Sequence, residues 1–334
     1  MSVREHVRAA FLAAAGWGGV PLKPLPGDAS ARRYFRLADY GRRAMLMDAP
    51  PPEAVGRFAR IAHLLQGLGY SAPRILAADE SAGFLLLEDF GDRTYTRVIA
   101  AGGDEMRLYG LAADLLADLH ERFDPGGPHD VPLYSDEMFL EEAGRFVLWF
   151  LPAATGRPVP EEVAAEYESI WRRLLPLARA VPSSLVLLDF HIDNLMLLEG
   201  REGLQACGLL DFQDARIGPI AYDLVSLIED ARRDVGADLQ AAVRRRYLAR
   251  RRVEPAAFDL ALAILGAQRH AKVIGLFCRL ALRDGKPAYL RHLPRLWRLL
   301  ETSLAHPALG DMEAWMNRHV PISLRRVPPG LGTA

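Results

Sequence analysis

The sequence predicts an α+β fold, with short strands before about residue 92 and a larger, mostly helical remainder. Short segments rich in apolar residues, which are typical of strands, occur at 43–47, 73–78 and 83–87. Farther along the chain, apolar residues recur at helical spacing over long segments such as 104–123 and 258–282. The length of 334 residues leaves room for two lobes or two small domains.

The composition gives no support for a nucleic-acid-binding, membrane or disulfide-bonded protein. The formal net charge is −1, which gives no electrostatic argument for binding nucleic acid or an anionic membrane. Cys207 and Cys278 lie in apolar runs, so we expect reduced core residues, as in a cytoplasmic protein. The sequence suggests no stretch of membrane-spanning length, and the alanine-rich run at 9–15 is too short for a signal peptide. The oligomeric state is left open.

Two apolar runs in the middle of the chain each end in a carboxylate. The run at 185–188 is followed by Asp189, and the run at 209–210 is followed by Asp211. Asn194 lies five residues after Asp189. Carboxylates brought together raise each other's pKa, and a divalent cation relieves this repulsion. Because all the ligands would be oxygens, the pattern favours magnesium.

The spacing Asp-x4-Asn, followed by a strand that ends in Asp-Phe, is that of a kinase catalytic loop and metal loop. In that scheme Asp189 orients or deprotonates the acceptor hydroxyl, while Asn194 and Asp211 hold magnesium against the nucleotide phosphates. The simpler alternative is that the aspartates cap turns at strand ends. That alternative explains one such residue better than it explains the whole ordered set.

The same stretch resembles the aminoglycoside phosphotransferase-type small-molecule kinases. Their signature is H-x-D-x4-N, then (I/L)-D-(F/W)-x-D, then Tyr/Pro-x-x-D-L. Here these parts read LLD with Asn194, then LDFQD at 210–214, then YDL at 222–224. Longer strings resemble the bacterial cell-wall recycling kinases that phosphorylate the anomeric hydroxyl of N-acetylmuramate and N-acetylglucosamine. These strings are GDASARRYFRL, MDAPPPE, DFQDARIGPIAYDLVSLIED and QRHAKVIGLFCRLALRDGKPAYL.

The resemblance implies a two-lobed protein-kinase-like fold. A small antiparallel-sheet N-lobe would occupy 1–92, with a hinge near 88–92, and a mostly helical C-lobe would occupy 93–334. ATP would be the phosphoryl donor, Mg²⁺ the cofactor and a sugar the acceptor. Asp223 would anchor the catalytic loop rather than bind metal. His120, alone on a core-facing helix, is expected to be a hydrogen-bonded structural residue.

The resemblance and the local residue types together give candidate binding residues. Small residues in a turn let backbone N–H groups approach phosphates closely, which favours the segment around residue 30. The candidates for nucleotide binding are Ser30, Arg32, Arg33, Glu88 and Phe90. The candidates for substrate binding are Glu141, His191, Asp214 and Arg279.

Each candidate for substrate binding has its own reason. Glu141 lies near aromatic residues, a combination suited to sugars. His191 either contacts the acceptor or braces the loop. Asp214 is a possible helper at the acceptor or the metal. An arginine such as Arg279 suits bidentate contact with a lactyl carboxylate.

One position departs from the pattern of the superfamily. Kinase-like folds place a lysine on the strand at 43–47 to hold the α- and β-phosphates. Met47 stands there, and no lysine lies between Lys23 and Lys272. Either an arginine supplies the charge (Arg33, Arg36 or Arg43), or the protein has lost turnover. The intact catalytic-loop and metal-loop residues favour the first explanation.

The alternative functions are a kinase of another small alcohol (an aminoglycoside, choline or homoserine) and a nucleotide-binding pseudokinase.

Overall fold

The computed structural model describes residues 2–26, 32–51, 53 and 55–331. The chain forms two compact units. The first consists of Met1–Leu115 and Ile192–Ala215, and the second of Leu116–His191 and Arg216–Ala334. The predicted lobe boundary near residue 92 concerns the nucleotide hinge, and it stays a prediction.

The elements follow one another in a strand-rich and then a helix-rich order. Up to residue 122 they are α1 (Val3–Ala14), β1 (Lys23–Pro24), β2 (Arg33–Asp39), β3 (Arg42–Asp48), α2 (Val55–Gly67), β4 (Ile75–Asp79), β5 (Phe84–Glu88), α3 (Tyr95–Ala100) and α4 (Glu105–Arg122). Up to residue 219 they are α5 (Asp136–Arg145), a π-helical turn (Phe146–Phe150), α6 (Leu151–Thr155), α7 (Glu161–Ala178), β6 (Ser183–Val186), β7 (Leu195–Leu197), β8 (Cys207–Leu209) and β9 (Arg216–Pro219). The rest are α8 (Ala221–Ile228), α9 (Ala237–Arg250), α10 (Pro255–Leu282), α11 (Leu293–Leu304) and α12 (Gly310–His319).

The first unit is built on an antiparallel sheet of five strands in the order β1-β2-β3-β5-β4. The central hairpin pairs Asp39 with Arg42, so only Tyr40 and Gly41 form its turn. Both turn residues have positive φ, 41° and 85°. A two-residue turn with this backbone matches the right-handed twist of the strands it joins. The predicted antiparallel sheet is therefore confirmed.

Helix α1 and the loop after it cover one face of this sheet. Its N-terminus is fixed by a capping box, in which Ser2 and Glu5 each bind the other's backbone N–H. The buried cluster beneath it consists of Leu12, Trp17, Leu37, Ala44, Leu46, Phe84 and Leu86. Full burial of each large apolar side chain contributes about 1.5–3 kcal/mol, so this cluster holds the helix on the sheet.

The second unit is organised around α10. This helix packs against α5, α7, α8 and α11. At Gly275 it approaches the Arg145 backbone so closely that a Cβ atom would collide with the carbonyl group. Helix α10 is long and apolar enough to span a membrane by length and composition, contrary to the expectation from the sequence, but 78% of its most apolar window is buried inside the protein. Burial to this degree is what the core helix of a folded unit shows.

Several local predictions are confirmed. Cys207 and Cys278 are buried free thiols. His120 is buried on α4, and its Nδ1 lies 2.7 Å from the Tyr247 hydroxyl, as expected for a structural histidine. The helices predicted at 104–123 and 258–282 are confirmed as α4 and α10. Helices α3, α6 and α12 were not predicted.

Candidate active site

Asp189 lies on a loop that begins at the end of β6. Leu188, just before it, has φ of 70°, a backbone conformation that costs a non-glycine residue on the order of 1–3 kcal/mol. The buried carboxylate of Asp223, in the first turn of α8, holds this backbone in place. It accepts hydrogen bonds from the N–H groups of Leu187 (2.6 Å) and Leu188 (2.9 Å). The predicted role of Asp223 as an anchor of the loop is confirmed.

The Asp189 carboxylate itself is half-exposed, with 51% of its side chain accessible. The nearly buried Arg269 guanidinium lies 3.7 Å from Asp189 Oδ1 and also donates to the Leu188 carbonyl oxygen at 3.1 Å. Desolvation raises the pKa of Asp189, but the charges of Arg269 and Lys272 outweigh it and hold the pKa below its ordinary value. The carboxylate is therefore ionised and accessible, as a group that accepts a proton or a hydrogen bond must be.

A buried polar network lies behind this carboxylate. Lys272 Nζ lies 2.8 Å from Glu142 Oε1 and 3.3 Å from the Tyr222 hydroxyl. The Tyr134 hydroxyl donates to the same glutamate. Glu141, the predicted residue, is exposed, whereas its neighbour Glu142 is buried. Sequence reasoning missed Lys272. A lysine three residues after Arg269 lies on the same face of an apolar helix, and this spacing could have indicated a pair of buried cations.

His191 lies on the same loop as Asp189 and is 5% exposed. Its Nε2 accepts a hydrogen bond from Arg232 Nη1 at 2.8 Å, which assigns the proton of the neutral ring to Nδ1. Burial, followed by the charge of Arg232, lowers the pKa of this histidine. A neutral imidazole held by an arginine is the arrangement expected of a loop brace.

Arg279, near the end of α10, is half-buried. Its Nε atom is buried and has no hydrogen-bond partner among the described residues. Burial and the positive charges of Arg283 and Arg145 lower its pKa. An arginine in this position favours an anionic partner.

Asn194 and Asp211 lie in the first unit, at matching ends of the β7–β8 pair. Leu210 N donates to the Asn194 carbonyl oxygen at 3.0 Å, which places the two candidate ligands on adjoining backbone. Asp211 has φ of 56° and accepts from Gln213 Nε2 at 2.9 Å. The next residue, Phe212, is buried and stacks on Phe58 of α2 at 4.8 Å between ring centroids.

The described residues contain no group of three or more His, Cys, Asp or Glu side chains that could hold a metal by themselves. Magnesium usually takes only one or two protein ligands and completes its shell with phosphates and water. An asparagine and an aspartate on adjoining backbone fit that requirement.

A cavity of about 270 Å³ lies in the first unit. Its lining is mostly polar and charged and consists of Arg32, Met47, Ala49, Glu53, Val55, Arg57, Phe58, Gln213 and Asp214. The Arg32 guanidinium lies 3.8 Å from Asp211 Oδ1 and 4.0 Å from Glu53 Oε2. On the same cavity Arg57 lies 3.8 Å from Asp214. Of the predicted residues, the structure thus brings together Arg32, Asp211 and Asp214.

The other predicted nucleotide-binding residues have different surroundings. Ser30 lies outside the described residues. Arg33 pairs with the buried aspartate at the end of β3, at 3.1 Å. Glu88 pairs with Arg201 at 2.6 Å, and the same guanidinium lies over the Phe90 ring at 5.2 Å from its centroid. This arrangement fixes the Glu88 and Phe90 side chains at the end of β5 and in the segment after it.

Comparison with known proteins identifies the family. Residues 21–260 match the APH family, described as the phosphotransferase enzyme family. An N-acetylmuramate/N-acetylglucosamine kinase of Caulobacter vibrioides is 37% identical, with 97% of this chain and 99% of the relative covered. The protein of the same name from Pseudomonas aeruginosa is 39% identical, with coverage of 90% and 89%.

Solved structures show the fold. A choline/ethanolamine kinase family protein from Mesorhizobium loti has a TM-score of 0.62 at 16% identity, covering 94% of this chain and 99% of its own. ADP-bound aminoglycoside phosphotransferase APH(2'')-Ib has a TM-score of 0.57 at 17% identity, with coverage of 90% and 97%. The predicted two-lobed α+β fold of the protein-kinase-like class is thereby confirmed. With the family match spanning most of its length, this chain belongs to the APH phosphotransferase enzyme family.

Proposed function

We propose that this protein is an ATP-dependent kinase of the anomeric (C1) hydroxyl of N-acetylmuramate, N-acetylglucosamine or both. The phosphotransfer part rests on one observation: a half-exposed Asp189 carboxylate, kept ionised by Arg269 and Lys272. The acceptor is taken from the names of the two relatives, which cover most of this chain. A role in peptidoglycan recycling and a cytoplasmic location follow from that acceptor.

Asp189 would accept a hydrogen bond from the attacking hydroxyl and receive its proton as the bond to phosphorus forms. Its low pKa makes it a weak base, which suits a loose transition state in which the base mainly positions the nucleophile. An anomeric hydroxyl is more acidic than an ordinary alcohol, so a weak base is sufficient to accept its proton. The two hydrogen bonds from the loop backbone to Asp223 keep Asp189 in one orientation.

The nucleotide would be bound by residues of the first unit. Asn194 and Asp211 would hold Mg²⁺, which when bound neutralises charge on the phosphate oxygens. Arg32 would contact the phosphates, and Ser30 and Arg33 stay candidates from the sequence. Backbone groups of the segment that includes Glu88 and Phe90 would bind the adenine edge, since the side chains there are already engaged.

The acceptor would be bound mainly by residues of the second unit. N-Acetylmuramate differs from N-acetylglucosamine by a lactyl ether with a carboxylate, so its site needs a cation. Arg279, whose buried Nε has no partner among the described residues, supplies one. His191 would brace the loop or touch the sugar, and Glu141 and Asp214 remain candidates for hydroxyl contacts.

The test is ATP consumption with magnesium against N-acetylmuramate, N-acetylglucosamine, kanamycin, choline and homoserine, with phosphorus NMR on each product. We expect turnover on the amino sugars and a sugar 1-phosphate signal. Asp189→Ala should lower kcat by roughly 10²–10⁴-fold without loss of the fold. An unchanged kcat in that variant would remove Asp189 from the mechanism.

The alternative outcomes are equally specific. Turnover on kanamycin, choline or homoserine alone would replace the acceptor and keep the phosphotransfer chemistry. Magnesium-dependent ATP binding without turnover on any of the five compounds would favour a pseudokinase. Phosphate found at another hydroxyl of an amino sugar would overturn the anomeric assignment alone.

A further inference from the structure

The lysine position of the kinase fold is filled by an apolar side chain. Met47 lies on the central strand β3, opposite Tyr34 of β2 and Leu85 of β5, and it is fully buried. Its side chain lines the 270 Å³ cavity but carries no charge. A site for the α- and β-phosphates needs a cation, so another residue on this cavity must provide it.

None of the three arginines considered from the sequence lines this cavity. Arg33 pairs with the buried Asp48 at 3.1 Å. Arg36 clamps the segment after β5, at 2.7 Å from Asp89 and 2.8 Å from Asp92. Arg43 is exposed on β3 and is not part of the cavity lining.

Arg32 is the residue that can supply this cation. It immediately precedes β2, its side chain is only 13% exposed, and it lines the same cavity as Met47. Its guanidinium lies between two carboxylates, 4.0 Å from Glu53 and 3.8 Å from Asp211. Glu53 is two residues before α2, and Asp211 is the candidate magnesium ligand. In kinases the strand lysine pairs with a glutamate of the small-lobe helix. Here Arg32 lies near a glutamate that precedes the corresponding helix and near the candidate metal-binding aspartate.

The other arginine on the cavity is less suited. Arg57 and its partner Asp214 are 58% and 51% exposed, so their charges are largely screened by solvent. A buried guanidinium is less screened, and its planar fork can donate two parallel hydrogen bonds to phosphate oxygens.

We infer that Arg32 takes over the task of the missing strand lysine: it binds the α- and β-phosphates of the nucleotide and is oriented by Glu53. This inference rests on the proposed function for the identity of the nucleotide as ATP. The cation reaches the cavity from the start of β2 instead of from the middle of β3. Met47 then packs as part of the cavity wall.

The experiment measures binding of ATP with magnesium to the full-length protein by calorimetric titration, without any sugar. Arg32→Ala should weaken binding by about 10- to 100-fold, the usual effect of losing a charge-assisted contact. Arg42→Ala is the matched control, because Arg42 is half-exposed at the far end of β3 and pairs with Asp39 outside the cavity. Its affinity should stay within about twofold of that of the wild-type protein.

A second variant separates a binding role from a structural one. In the Arg32→Ala background, Met47→Lys restores a cation on the same cavity from the strand position. Recovery of at least tenfold in affinity supports the inference, since a lost structural contact would not return with that lysine. If circular dichroism shows that the double variant does not fold, Arg32→Lys answers the same question by keeping the charge. A loss as large as that of Arg32→Ala would then overturn the inference.

The two proposals fail in different ways. Wild-type protein that binds ATP but phosphorylates none of the acceptors overturns the proposed function, while the Arg32 comparison remains decisive. Wild-type protein that phosphorylates an amino sugar, together with an Arg32→Ala variant that binds ATP normally, overturns this inference alone. A folded double variant without recovery also overturns it.

Discussion

Arg269 Nη2 lies 3.7 Å from Asp189 Oδ1, and Nη1 of the same guanidinium donates to the carbonyl oxygen of Leu188 at 3.1 Å. One side chain of α10 therefore acts on both the charge and the backbone of the loop. Lys272, three residues later on the same helix, adds a second positive charge. Both side chains are nearly buried, so their effect on Asp189 is only weakly screened.

The first prediction concerns the pH dependence of turnover. Catalysis needs the ionised Asp189, so kcat/KM falls as the pH drops through the pKa of that carboxyl group. Lys272→Met removes a positive charge, which makes ionisation harder and raises the pKa of Asp189. The acidic limb of the profile should therefore move to higher pH, by up to about 1 unit. The profile is measured with the acceptor that gives turnover.

The control for this prediction is Lys272→Arg, which keeps the charge and should leave the limb near its wild-type position. The double variant Lys272→Met/Glu142→Gln removes the buried pair together, so that no glutamate is left unpaired. An acidic limb that does not move in either charge-removing variant would contradict the assignment of Lys272 to the electrostatics of Asp189.

The second prediction separates the two sugars. Arg279→Leu should raise KM for N-acetylmuramate by about 10- to 100-fold, because a charge-assisted contact with the lactyl carboxylate is lost. KM for N-acetylglucosamine should change by less than about twofold, since that sugar has no carboxylate. Steady-state kinetics with both sugars checks this, and N-acetylglucosamine serves as the control within one variant. Equal losses on both sugars would show that Arg279 acts through the fold.

The third prediction compares two neighbouring glutamates. Glu142→Ala leaves Lys272 buried without its partner, so the free energy of unfolding should fall by about 3–5 kcal/mol. Glu141→Ala removes an exposed carboxylate and should change it by less than about 0.5 kcal/mol. Urea denaturation of the two variants gives the comparison. Similar losses in both would contradict the placement of Glu142 in the buried pair.

The sequence predicted the catalytic and metal loops because their residues are close together along the chain. Asp189 and Asp211 follow apolar runs in which β6 and β8 end, and Asn194 lies five residues after Asp189, directly before β7. The family resemblance implied the anchoring role of Asp223, whose carboxylate does accept two hydrogen bonds from the loop backbone. Apolar spacing also predicted α4 and α10.

The remaining features depend on contacts between distant parts of the chain. The pairing of Glu142 with Lys272 joins residues 130 positions apart. The position of Arg32 beside Glu53 and Asp211 depends on how β2 enters the sheet. Apolar spacing cannot specify such contacts, because they depend on tertiary packing.

The fourth prediction concerns stability in mild acid. His120 is buried beside the Tyr247 hydroxyl, and burial, followed by the charge of Arg251, lowers its pKa to about 3. The unfolded chain takes up this proton near pH 6.5, whereas the folded protein does not until near pH 3. The unfolded state thus binds more protons below about pH 6.5, and the free energy of unfolding falls as the pH drops, by up to about 1.4 kcal/mol per unit from this group.

His120→Gln, which keeps a hydrogen-bonding group without a titrating ring, should lose less stability over that range. Urea denaturation at about pH 7.5, 6.5 and 5.5 measures both proteins. Parallel losses would show that His120 does not stay neutral in the folded state.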